Sequence, residues 1–73
     1  MPRRYSTEEV IKVLESFGFR LVRDARHAIM DGPGHVVPVP KDRKQMPSGT
    51  MSSILRKAGI TRRDFEERAG NVL

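Results

Sequence analysis

Phe19-Arg20-Leu21-Val22-Arg23-Asp24-Ala25-Arg26-His27-Ala28-Ile29-Met30-Asp31-Gly32-Pro33-Gly34-His35-Val36-Val37-Pro38-Val39-Pro40 is the stretch that decides the fold. It holds three short runs suited to strands, separated by turn-forming residues. Phe19 to Arg23 is rich in β-formers, and alternation puts Phe19 and Leu21 on one face. Asp24-Ala25-Arg26 is a tight connection into His27-Ala28-Ile29-Met30, a strand by position more than by propensity. Asp31-Gly32-Pro33-Gly34 is a strong turn signal. His35 to Pro40 is β-rich again, but Pro38 has no N–H to give a sheet ladder, which predicts an edge strand. A bulge, if one forms, is expected at the same proline. Three strands joined by short turns predict an antiparallel meander.

Helices flank this meander. Ser6-Thr7-Glu8-Glu9 has the form of a capping box, with Ser6 as cap and Glu9 three residues on. Val10, Val13, Leu14 and Phe17 follow at helical spacing, and Gly18 is the expected stop. After the strands, Lys41 to Ser48 reads as an exposed basic loop. Ser48 or Thr50 is the expected cap of a second helix carrying Met51, Ile54, Leu55 and Ala58, which Gly59 ends. Thr61 with Asp64 starts a third, with Phe65 and Ala69 inward and Gly70 to Leu73 fraying. The order α-β-β-β-α-α predicts an α+β fold, with helices on one face of a three-stranded antiparallel sheet. The expected core is Val10, Val13, Leu14, Phe17, Leu21, Ile29, Val37, Ile54 and Leu55.

Seventy-three residues make one small domain, 1–73. There are no cysteines, which excludes disulfides and thiolate zinc sites and suits the reducing cytosol. His27 and His35 are too few for a closed structural metal site. No apolar run follows the basic start Met1-Pro2-Arg3-Arg4-Tyr5, so no signal peptide is expected there. No segment approaches the roughly 20 apolar residues of a membrane span. These readings place the chain in the cytoplasm, away from membranes and without a cofactor.

Fourteen Lys and Arg against nine Asp and Glu give a net charge of +5, which favours a polyanionic partner. The excess is concentrated mid-chain, where Lys41, Arg43, Lys44, Arg56 and Lys57 face only Asp42. Around Asp64, Glu66 and Glu67 the charges cancel.

Chemistry-bearing patterns are sparse. There is no phosphate-binding glycine loop, metalloprotease helix or nucleophile elbow. Glu8, Glu9 and Glu15 suit the exposed side of the first helix, and Ser52 and Ser53 read as helix-surface residues without a base nearby in sequence. Two histidines remain, the side chain able to move protons both ways near neutral pH. His27, flanked by Arg23 and Arg26, could serve as acid or base against RNA, which brings its own nucleophile in the 2′-OH. On the residues alone an ordinary surface histidine is the favoured reading. His35, after Gly-Pro-Gly, reads still more plainly as a strand-edge surface residue.

Larger patterns add to this. Phe17-Gly18-Phe19 followed by Leu21-Val22-Arg23 is similar to a GF-x-LVR stretch, and Val36-Val37-Pro38-Val39-Pro40 to a third strand. Pro47-Ser48-Gly49-Thr50-Met51-Ser52-Ser53-Ile54-Leu55-Arg56-Lys57-Ala58-Gly59-Ile60-Thr61 is similar to P-x-GT-x-x-SILRQAGIS. In this order and spacing, from about Tyr5 to Phe65, they resemble the HicA toxins, small RNA-cleaving toxins of bacterial toxin–antitoxin pairs.

The resemblance implies a fold like that of double-stranded-RNA-binding domains, metal-independent cleavage of mRNA, and a HicB-type antitoxin as partner. It also implies one catalytic histidine, which in the family follows Gly-Ser at the start of the second strand. His27 matches that histidine and keeps the family's H-x-I pattern with Ile29, but Ala25-Arg26 stands where Gly-Ser would be. RNA phosphates are then expected on Arg23, Arg26, Lys41, Arg43, Lys44 and Lys57. One rival is a non-catalytic double-stranded-RNA binder holding phosphates through Lys41, Arg43, Lys44 and Lys57 across a minor groove. A helix-turn-helix DNA reader around Gly59 ranks lower, because its second helix is electrically neutral.

Overall fold

The first helix, α1 (Thr7–Ser16), is closed at both ends by side chains and turns that its sequence announces. Ser6 Oγ accepts from the Glu9 amide at 3.2 Å, and Glu9 Oε1 accepts from the Ser6 amide at 2.9 Å. At the other end Gly18 takes a φ of 95°, and the amides of Gly18 and Phe19 turn back to the carbonyls of Glu15 and Leu14. The computed structural model describes residues 4–73, so Met1-Pro2-Arg3, the first part of the basic start read above, lies outside the described residues.

The meander follows as expected: β1 (Arg20–Asp24), β2 (His27–Gly32) and β3 (His35–Pro40), antiparallel in the order β1-β2-β3. Helices α2 (Ser48–Ala58) and α3 (Arg62–Val72) complete an α+β fold in the order α-β-β-β-α-α. Helix α1 packs on β1, β3 and α3, while α2 packs chiefly on β3. Pro38 sits on an edge strand, and β2 and β3 pair without a register shift from His27↔Pro40 to Gly32↔His35. The irregularity falls in β1 instead, between Leu21 and Arg23. At Pro38 the carbonyl remains to bond and the missing N–H costs nothing on a free edge.

Alternation along β2 and β3 buries Ala28, Met30, Val37 and Val39 under the helices. They join Tyr5, Val10, Val13, Leu14, Phe19, Met51, Ile54, Leu55, Ala58, Phe65 and Ala69 in one cluster. Met46, inside the basic loop, is also fully buried, held by its amide donating to Tyr5 O at 2.7 Å. Tyr5 meets Phe65 edge-on, with ring centroids 5.2 Å apart.

Three expected core residues are not buried. Leu21 is 42 % exposed: β1 is an outer strand, every residue of which is exposed, and α1 touches it without covering it, leaving Leu21 in an open groove with Ile11. Ile29 pairs with Arg23 and Pro38 on the uncovered face of the sheet and is half-buried. Phe17 is half-buried beneath the Arg68 guanidinium, 4.3 Å from its ring centroid.

Two helix ends also differ from expectation. Neither Ser48 nor Thr50 caps α2: the Met51 amide already bonds to Pro47 O at 2.9 Å, so the helix begins before either hydroxyl. Gly70 to Leu73 does not fray; α3 continues to Val72, whose side chain packs against the core. Thr61 caps that helix as its spacing predicts, accepting from the Asp64 amide at 3.1 Å.

Candidate functional site

With Ala28 and Met30 turned inward, His27, Ile29 and Asp31 stand on the opposite face of β2. His27 is exposed at the first position of that strand, paired with Pro40 of β3. Its imidazole has no hydrogen-bond partner among the described residues.

Helix α2 supplies the opposing wall. Met51, Ile54, Leu55 and Ala58 bury one face of it. Thr50, Ser53 and Lys57, spaced three and four apart, therefore share a flank. That flank borders β3 and closes a cleft of about 320 Å³ lined by His27, Pro38, Pro40, Gly49, Thr50, Ser53, Ile54 and Lys57. On its other side His27 borders a hollow of about 300 Å³ with Arg23, Ala25, Arg26 and Ile29. His27 thus stands between Arg23 and Arg26 on one side and Lys57 on the other.

The remaining cations of the expected set lie elsewhere. Lys41, Arg43 and Lys44 line a groove of about 580 Å³ with Thr7, Ile11, Leu21 and Asp24, and not the His27 cleft. Thr7 pins their loop to the start of α1. Its hydroxyl donates to Pro40 O at 2.7 Å and accepts from the Arg43 amide at 3.0 Å, and its own amide donates to Arg43 O at 2.9 Å. Lys41 Nζ is 2.5 Å from the Asp24 carboxylate, and this hydrogen bond raises its ammonium above the ordinary lysine value. The six cations expected on RNA phosphates are therefore divided between two surfaces.

Sequence reading missed Thr50 and Ser53 as site residues. Their common face with Lys57 is legible from spacing, but nothing local tells that this face adjoins His27. Both are half-buried, and neither hydroxyl has a partner among the described residues. His35, a plain surface residue by its sequence, is exposed, yet its Nδ1 lies 3.0 Å from Lys57 O and its ring covers Gly59.

The sequence model for the HicA toxin of bacterial toxin–antitoxin systems matches residues 7–60. The chain belongs to the HicA toxin family. The match runs from the first residue of α1 past the end of α2, so both walls of the His27 cleft lie within the HicA region. No curated protein matches the chain. No helix among the described residues is long and apolar enough to cross a membrane.

Proposed function

We propose that this HicA-family chain is an endoribonuclease toxin that cleaves mRNA, with His27 as its catalytic histidine, and that a HicB-type antitoxin neutralises it in the cytoplasm. The observation that carries the reading is His27 itself: exposed, without an intramolecular partner, at the mouth of a cleft flanked by Arg23, Arg26 and Lys57.

The chemistry follows from what RNA provides. The 2′-oxygen attacks the adjacent phosphorus, the P–O5′ bond breaks, and a 2′,3′-cyclic phosphate and a 5′-hydroxyl result. His27 takes the proton from the 2′-OH as general base, and a proton must reach the departing 5′-oxygen. Arginine and lysine around the cleft hold the backbone phosphates by charge, without reading sequence. No metal enters this scheme, and the described residues hold no group of three His, Asp or Glu side chains fit to bind one. The antitoxin acts most simply by covering the cleft, an acidic surface being drawn to the cations around it.

The test is incubation of purified protein with single-stranded RNA and with the 2′-deoxy strand of the same sequence, with and without EDTA. Cleavage of RNA alone, with cyclic-phosphate ends and unaffected by EDTA, is the expected result. Cutting of the deoxy strand would refute the mechanism. Binding without cleavage would leave the non-catalytic RNA-binding module.

A further inference from the structure

The open face of the sheet is not built as a solvated one. An antiparallel sheet packed on helices at one side normally turns polar residues to the other. Here the pairing puts Ile29 between Arg23 and Pro38 on that face, Pro40 beside His27, and Val36 opposite Asp31. Val36 is 59 % exposed. Ile29 is half-buried, yet it does not pack against the core as Ile11, Phe17, Ile60 and Val72 do. It lines instead the hollow of about 300 Å³ that it shares with His27, Arg23, Ala25 and Arg26.

That hollow combines an apolar wall, Ile29 and Ala25, with two guanidinium groups and the imidazole. The apolar wall suits the face of an unpaired base, and the cations suit the phosphates of its nucleotide. The one acid among the strand residues of this face, Asp31, pairs with Arg20 at the end away from His27. A protein partner fits less well, because Ile29, Val36, Pro38 and Pro40 fall far short of the roughly 20–30 residues a side of a stable protein interface.

We propose that this hollow is a base-binding subsite, an inference that deepens the RNA reading above. An unpaired base next to the cleaved phosphate lays its face on Ile29, and Arg23 and Arg26 hold the phosphates on either side of its nucleotide. Contact through the face accepts any base and favours the larger purines, which bury more apolar surface.

Two 2′-deoxy strands of equal length test this, one oligo-deoxyadenylate and one wholly abasic, since they carry the same phosphates and offer no 2′-OH. The wild type should bind the strand with bases more tightly. Ile29→Ala should shrink the ratio of the two affinities by about three- to tenfold, the worth of one or two buried methylenes. Ile29→Phe, equally suited to a strand and offering an aromatic face, should enlarge it. Neither variant should change the salt slope of binding, which follows the phosphates. On RNA cut at a mapped position, an abasic residue at one of the two nucleotides flanking the cut should slow the wild type. The same residue should slow Ile29→Ala no further, because the contact is already lost.

An affinity ratio equal in the wild type and both variants would overturn the proposal. Ile29→Ala weakened to the same degree on both strands would make Ile29 a structural residue and overturn it too. So would Ile29→Ala slowed as much as the wild type by an abasic residue at either flanking position. A wild-type dimer that Ile29→Ala splits in sedimentation, with the ratio unchanged, would give the face to a second copy instead. Wild-type protein that cuts no RNA while the ratio shifts as stated would remove the ribonuclease reading and leave the base subsite standing.

Discussion

The ring of His35, at the start of β3, lies over Gly59, and its Nδ1 is 3.0 Å from the carbonyl oxygen of Lys57 near the end of α2. A carbonyl only accepts, so Nδ1 carries the hydrogen. The final carbonyls of a helix lack partners within it, and here a side chain from the sheet provides one. The contact ties the strand paired with His27's strand to the helix that carries Lys57.

Gly59 makes that contact possible in two ways. It adopts a left-handed φ of 71°, and a Cβ there would stand 2.9 Å from the His35 ring. Gly59→Ala should destabilise the protein by at least ~1 kcal/mol through backbone conformation alone. His35→Ala should cost about 0.5–1.5 kcal/mol, the net worth of one hydrogen bond. In the double variant the ring clash is gone, so its loss should be smaller than the sum, measured by urea unfolding.

His27→Ala should lower RNA cleavage by about 10²–10⁴-fold, the range for a positioned acid or base. The imidazole is exposed and has no partner among the described residues, so stability should be unchanged. Parallel cleavage and thermal-unfolding measurements check both halves. A variant that cleaves at the wild-type rate removes His27 from the mechanism.

The division of the cations predicts unequal effects on RNA binding. Neutralising Arg23, Arg26 or Lys57 should each reduce the salt dependence of binding by about 0.7 in log–log slope, the single-strand value for one phosphate. Lys41→Ala should leave the slope nearly unaltered, because Lys41 is paired with Asp24 in a different groove. Titrations of a 2′-deoxy oligonucleotide at several salt concentrations decide this. An equal drop for Lys41 or Lys44 would mean that the nucleic acid also follows the groove beside α1.

Lys41 offers a pH-dependent check on that groove. The hydrogen bond to Asp24 raises its folded-state value above the ordinary one. A raised value means that the stabilisation is complete below the unfolded lysine pKa and disappears as pH climbs through the folded value. Asp24→Asn should therefore bring the Lys41 titration down towards that of a free lysine, read by NMR of its side chain, and weaken the alkaline decline in stability.

Much of the fold was legible because its signals are local. The Ser6–Glu9 box, Gly18, Gly59 and the Thr61–Asp64 cap each act within a few residues of themselves, and each is found where its spacing places it. The alternation of Ala28, Met30, Val37 and Val39 likewise marks which side of the sheet is buried. The same periodicity failed for Leu21, since a residue facing the helical side is buried only if a helix extends far enough to cover it.

The sequence by itself determined the elements, their order, the antiparallel meander and the position of His27 at the start of its second strand. Only the tertiary structure decided that Thr50, Ser53 and Lys57 face His27, and that Lys41, Arg43 and Lys44 do not. Periodicity states which residues of an element turn outward, whereas their neighbour across a cleft depends on how the elements pack. Here α2 lies along β3, and Thr7 holds the basic loop against α1. Cations close together in the chain are thereby separated, and a lysine thirty positions from His27 lines its cleft.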